Sequence, residues 1–162
     1  MTLVSAASFV SGQKHPRFSR TDLCSLIPHS GDMCLLERVE VWDDDTILCS
    51  THSHKDLNNP LRKGGRLSAI HGLEYGAQAM ALHGALLAKR EEIPFRGAYV
   101  AAVHDLRLLA ARLDTLPHRL RVEARRLLTV PGGVVYHVII DSGGRPVVTA
   151  RVTVMPRPGE RI

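Results

Sequence analysis

Aromatic residues are scarce in this chain: Phe, Tyr and Trp make up 4% of its 162 residues. A nucleic-acid reader built on stacking platforms needs more of them, so that class is excluded. Also missing is any block of like charge. The 21 Lys and Arg and the 16 Asp and Glu, net +5, are spread along the chain, with no basic arm and no clustered phosphate contacts. Charge of this sign speeds encounter with an acidic partner or keeps the surface solvated. No cysteine framework is present. Cys24, Cys34 and Cys49 are odd in number and lack C-x-x-C spacing, which predicts reduced thiols in a cytoplasmic protein. No 18-residue apolar run is free of polar side chains, and the opening MTLVSAASFVSG has no basic n-region. Neither a membrane span nor a signal peptide is expected. P-loop, dinucleotide and G-x-S-x-G fingerprints are absent, and no cofactor is implied.

What is present has the size of one domain, with 44% hydrophobic residues to build a core. Residues 1–20 are small, polar and aperiodic and read as a loose extension; 21–156 form the domain and 157–162 a tail. TDLCSLIPH (21–29) suggests a short helical turn capped by Thr21 or Asp22 and ended by Pro28. CLLERVEVW (34–42) and TILCSTHSH (46–54) flank DDD (43–45) as a hairpin. The loop KDLNNPLRKGGR (55–66) precedes a long helix capped by Ser68 and running to about Lys89. Four further strands follow, over 98–110, 118–129, 134–141 and 146–155, separated by DTLP, PGG and SGGR turns. Leu120, Val122 and Ala124 alternate with Arg119, Arg121 and Glu123, the period of a sheet with one core face and one wet face. A single apolar helix among six strands must lie on the sheet to hide its surface. The pattern predicts an α+β hot-dog fold, a six-stranded antiparallel sheet wrapped around one long central helix.

That helix carries an unusual polar stripe. In IHGLEYGAQAMALHGAL (70–86) the only charged residue is Glu74. At about 100° per residue, His71, Glu74, Tyr75 and Gln78 share one face within roughly a 100° arc, and His83 falls off it. A buried carboxylate is expensive unless paired or used. A polar stripe confined to the first two turns reads as a pocket wall, at the end where helix N–H groups are free. Glu74 complementing the helix dipole and Gln78 bonding a strand is the structural alternative. His71 and Glu74 form an H-x-x-E pair without a third ligand, so no metal site is expected. His52 and His54 share one face of their strand.

LIPHSGDMCLLERV (26–39), NNPL (58–61) and LEYGAQAM (73–80) resemble three segments of the hot-dog 3-hydroxyacyl-[acyl-carrier-protein] dehydratases, over roughly residues 22–156. Those segments are a Pro-His-Arg opening, an Asn-x-Pro-Phe after the second strand and a central-helix Ile-Glu-Ala-Leu-Ala-Gln. GLEYGAQAMALHG is most similar to the predicted dehydratase branch associated with aryl-polyene and related fatty-acid-like pathways. The resemblance implies dehydration of a 3-hydroxyacyl thioester: a histidine takes the C2 proton and the helix carboxyl group helps protonate the departing hydroxyl. Backbone N–H groups at the helix start polarise the thioester carbonyl. Glu74 matches the acid, Gln78 the residue that orients it, and residues 71–72 lie near the N–H donors, so Gly72, Tyr75 and Gln78 become candidate substrate contacts.

The family's His-Phe-Pro-Gly loop has no counterpart here; the connection reads LRKGGRLSAIHGLE. His71, one turn from Glu74, and His54, at the strand end, are the candidate replacements. Arg62, Lys63 and Arg66 are placed to meet an acyl carrier protein or the phosphate of its phosphopantetheine arm. A homodimer, or a heterodimer with a related hot-dog subunit, is expected through a strand edge. Two other functions stay open: a non-catalytic subunit paired with an active dehydratase, and a hot-dog acyl thioesterase whose helix carboxylate activates water.

Overall fold

The computed structural model describes residues 18–95 and 97–157. In chain order it contains α1 (Arg20–Leu26), β1 (Arg38–Trp42), β2 (Thr46–Thr51), α2 (Gly72–Arg90), β3 (Ala98–Leu108), β4 (Leu120–Val130), β5 (Gly133–Ser142) and β6 (Arg145–Pro156), with single 3-10 turns at Gly31–Met33, Ser53–Lys55 and Ala69–His71. The six strands form one antiparallel sheet in the order β1-β2-β4-β5-β6-β3. This is the hot-dog arrangement. Most of the expected extension (1–17) and tail (158–162) lies outside the described residues.

Alternation builds the inner face of the sheet. Leu120, Val122 and Ala124 of β4 are fully buried, as are Ile140 of β5 and Val148 of β6, while Arg121 and Arg125 face outward. Helix α2 lies close on that face because two of its contact positions are glycine. A Cβ on Gly72 would stand 2.9 Å from Ile140 Cδ1 and Val148 Cγ2, and one on Gly76 2.7 Å from Val138 Cγ1. Any side chain there would push the helix off the strands. His83 is buried off the polar stripe. Its Nδ1 lies 3.0 Å from the Tyr136 hydroxyl and its Nε2 2.8 Å from the Asp43 carbonyl, which ties the helix to the β1–β2 turn. Burial pushes its imidazole below the usual histidine range. The β5–β6 turn is Gly143-Gly144 with φ of +62° and +78°, the two-residue hairpin geometry that glycine serves best.

Four local expectations are corrected. Ser19, not Thr21 or Asp22, caps α1; Asp22 is the third helical residue and returns a bond to the Ser19 N–H, completing a capping box. The strand after the DDD turn stops at Thr51, and residues 53–55 turn back, so His52 is exposed and His54 buried instead of both sharing a strand face. The long helix starts at Gly72 behind a 3-10 turn, and Ser68 makes no side-chain cap. Cys24 and Cys34 are joined in a disulfide, not reduced, because the turn after α1 brings their Cα atoms to 5.7 Å. Only Cys49 is a free, buried thiol. Among the described residues no helix is long and apolar enough to cross a membrane.

Candidate active site

The first turn of α2 presents Glu74 with its side chain 31% exposed. Facing it is His29, from the loop between α1 and β1, with Nε2 3.0 Å from Glu74 Oε1 and the side chain 25% exposed. One helical turn on, the Gln78 amide is wholly buried and fully engaged. Its Nε2 donates to Glu74 Oε1 at 3.0 Å and to the Met33 carbonyl at 2.7 Å, and its Oε1 accepts the Leu35 N–H at 2.9 Å. One side chain thus fixes both the carboxylate and the end of the loop that carries His29. The same loop is held elsewhere. Arg20 donates to the Cys34 carbonyl at 2.9 Å, and the Thr51 and Ser53 hydroxyls donate to the Leu35 carbonyl at 2.6 and 2.7 Å.

His29 Nδ1 is buried and has no hydrogen-bond partner among the described residues. With the Glu74 carboxylate as acceptor, Nε2 is the nitrogen that carries a proton, and in the neutral form of the ring the lone pair lies on Nδ1. A carboxylate orienting an imidazole whose other nitrogen is unpaired is the arrangement of a general base. Gln78 holds the carboxylate from the opposite side, so the dyad has a defined geometry before substrate arrives.

The other residues expected to share this site are placed differently. Tyr75 turns away from Glu74 and is fully buried; its hydroxyl lies 3.1 Å from Ser53 Oγ and accepts from Asn59 Nδ2 at 3.0 Å. It locks the 53–59 loop, and burial raises its phenol. Gly72 is a packing residue: a Cβ there would collide with Ile140 and Val148, and its N–H is bonded to the carbonyls of Ala69 and Ile70. The His71 N–H is likewise taken, by the Ser68 carbonyl. These two N–H groups are not free oxyanion donors. The half-buried His71 sits at the helix start and makes no side-chain cap. His54 is fully enclosed; burial holds its imidazole below the usual range, partly offset by the backbone of Leu116 and His118. An enclosed side chain cannot swing to Glu74 without unfolding its turn.

Arg62 is also absorbed by structure. Its guanidinium donates to the carbonyls of Asp56 (2.7 Å), Gly65 (2.8 Å) and His54 (3.1 Å) and pairs with Asp114 at 3.7 Å. The side chain is 9% exposed, which leaves no face for a phosphate. Asp114 is further held by Arg112 and by the Leu67 N–H, and its carboxyl lies well below the usual range, chiefly through the Arg112 bond. Lys63 and Arg66 stay exposed on either side of the Gly64-Gly65 turn. A groove lined by His52, Pro117, His118, Arg119, Arg121, Gly143 and Gly144 shares none of the site residues, and His52, Arg119 and Arg121 already face Glu37, Glu40 and Asp141. Among the described residues no group of three His, Cys, Asp or Glu is arranged to hold a metal ion.

His29 is the candidate site residue that local pattern reading misses. The Pro-His pair at 28–29 stands out as a motif, yet nothing in its neighbourhood states that the loop folds back onto the helix.

A family model described as ApeP-like, ApeP dehydratase, matches residues 21–161. The dehydratase heterocomplex ApeI:P from Xenorhabdus doucetiae superposes with a TM-score of 0.75 at 21% identity, over 85% of this chain and 91% of that one. A putative thioesterase from Shewanella oneidensis gives 0.58 at 16% identity, over 86% and 94% of the two chains. A hypothetical thioesterase with coenzyme A from Streptococcus pneumoniae TIGR4 gives 0.54 at 20%, over 76% and 87%. These likenesses establish the shared fold. No curated protein matches the chain.

Proposed function

The chain belongs to the ApeP-like dehydratase family, and from that premise we propose that it removes water from a 3-hydroxyacyl thioester to give the trans-2-enoyl thioester. The acyl group is carried on an acyl carrier protein or coenzyme A, in a fatty-acid-like or polyene pathway. The observation that carries this reading is the His29–Glu74 pair, with Nδ1 unpaired among the described residues. In the reaction, Nδ1 takes the C2 proton, the C2–H electron pair becomes the C2–C3 double bond, and the C3–O bond breaks. The departing hydroxyl takes the proton from Nδ1 and leaves as water, so the imidazole returns to its starting form. Glu74 stabilises the transient imidazolium through Nε2–H and does not itself need to carry the proton. A base so placed contributes roughly 10²–10⁴-fold.

Lys63 and Arg66, exposed on their turn, remain the candidates for the carrier's acidic surface; Arg62 drops out. The β3 edge exposes Tyr99, Val100, Val103 and Leu108, an apolar strand of the kind that pairs with another subunit. That edge, together with the ApeI:P assembly of a structural neighbour, favours a second reading, in which the chain works as one half of a pair with a related dehydratase subunit.

The test is incubation of the purified protein with a short 3-hydroxyacyl thioester, following the conjugated enoyl product by absorbance, alone and with a related dehydratase subunit added. Product that vanishes in Glu74→Gln supports dehydration by this chain. Product only with the partner present, and unchanged by Glu74→Gln, shifts the role to a non-catalytic subunit. Free thiol without enoyl product points to a thioesterase.

A further inference from the structure

We propose that the Cys24–Cys34 disulfide is the positioning device for His29, and that opening and closing it switches the site. The inference rests on the reading of His29 as the base. His29 lies midway along the loop that the bridge closes, in a sequence separation of 10 between the two cysteines. The loop's own backbone bonds are two short turns beyond His29, Met33 N–H to Ser30 at 3.3 Å and Cys34 N–H to Gly31 at 3.1 Å. On the far side Gln78, Thr51 and Ser53 clamp residues 33 and 35 to the body of the protein. On the near side α1 is fixed by its capping box and by the buried Leu23. The bridge joins these two anchors directly behind His29. With it closed, Pro28–His29 has little freedom to leave Glu74. With it open, α1 is coupled to the clamped end by the Arg20 bond to the Cys34 carbonyl and by the core packing of Leu23 and Ile27.

The chemistry is available from any dithiol. Cys24 is half-buried and Cys34 is 1% exposed, so an incoming thiolate attacks the Cys24 sulfur and Cys34 leaves and takes a proton. The second thiol of the reductant then displaces Cys24. One protein disulfide is reduced to two thiols and one dithiol is oxidised to a disulfide, two electrons passing. Cys49 takes no part: it is fully buried and its thiol is pushed far above the usual range by that burial. In a reducing compartment the pair would stand open unless oxidised, which makes the site responsive to redox state.

The experiment compares full-length protein oxidised with glutathione disulfide, reduced with dithiothreitol, and reoxidised. Thiol titration under denaturing conditions should give one thiol in the oxidised form and three in the reduced form. Imidazole NMR resonances of His29, assigned by comparison with His29→Asn, should be sharp and sensitive to Glu74→Gln only in the oxidised form. Turnover on reduction should fall about tenfold or more in kcat, with KM changed less than about twofold, and return on reoxidation. Cys24→Ser should behave as permanently reduced, and Cys49→Ser should keep the full response. Identical His29 spectra and identical kcat in the two redox forms overturn the proposal, as does a protein that shows three thiols after oxidation. Should the oxidised protein show no dehydration at all, the functional reading fails, while the His29 spectra still decide this one.

Discussion

Replacing Gln78 with Met removes three hydrogen bonds while nearly conserving volume, and its consequences can be worked out atom by atom. The Leu35 N–H loses its acceptor in a buried position, where an unpaired donor costs about 1–3 kcal/mol. The half-buried Met33 carbonyl loses a donor at 2.7 Å but can take water, which adds at most about 1 kcal/mol. Glu74 loses one of the two groups on Oε1 and keeps His29, so its part in stability is small. The sum is a destabilisation of about 1–4 kcal/mol, or roughly 2–16 °C in Tm for a domain of this size. Urea unfolding followed by far-UV circular dichroism checks it. The same change frees both Glu74 and the His29 loop, so kcat in the dehydration assay should fall by more than KM rises. Gln78→Glu, which sets a carboxylate against Glu74 Oε1, should be worse than Met near neutral pH. A Gln78→Met protein within about 0.5 kcal/mol of wild type would refute the account of the amide as the clamp between helix and loop.

Gly76→Ala should destabilise by about 1–3 kcal/mol, because the new methyl stands 2.7 Å from Val138 Cγ1; an unchanged urea midpoint would contradict the close helix–sheet contact. His54 and His83 are both held below 6.5 by burial, so the unfolded chain takes up protons near that pH that the folded chain refuses. Stability should therefore be full above about pH 6.5 and decline below it, by up to about 1.4 kcal/mol per pH unit for each histidine; a Tm flat from neutral pH to about pH 5.5 would refute it. Arg62→Ala should lower stability by about 2–3 kcal/mol through three lost carbonyl bonds, measured by thermal unfolding. Lys63→Glu with Arg66→Glu should instead leave Tm unchanged and weaken carrier binding in a titration; the opposite pattern would return Arg62 to the carrier surface.

The architecture was legible because its signals are local. The alternation of Leu120, Val122 and Ala124 with Arg121 and Glu123 marks β4 whatever lies beside it, and the run of small apolar residues from Gly72 to Ala88 marks one buried helix. The site was legible only in part. Helical spacing correctly placed Glu74 and Gln78 one turn apart, and Gln78 does hold Glu74. It also put Tyr75 on their face, but a side chain 100° round the helix answers to whichever neighbour receives it, here Ser53 and Asn59. Arg62 reads as a free cation beside Lys63 until the loop wraps three carbonyls around it. The Cys24–Cys34 bridge and the His29–Glu74 contact depend on a chain reversal whose geometry is set by α1 and by the clamp on Leu35, and no spacing rule encodes that.

Most direct is a comparison of His29→Asn with His71→Asn in the oxidised protein, measuring kcat for water loss from a 3-hydroxyacyl thioester. Asn keeps a polar group of similar reach but holds no lone-pair nitrogen to accept the C2 proton. The account predicts a fall of roughly 10²-fold or more for His29→Asn, with an unchanged unfolding midpoint, and near wild-type turnover for His71→Asn. Full activity in His29→Asn, or loss confined to His71→Asn, would contradict the assignment of the base.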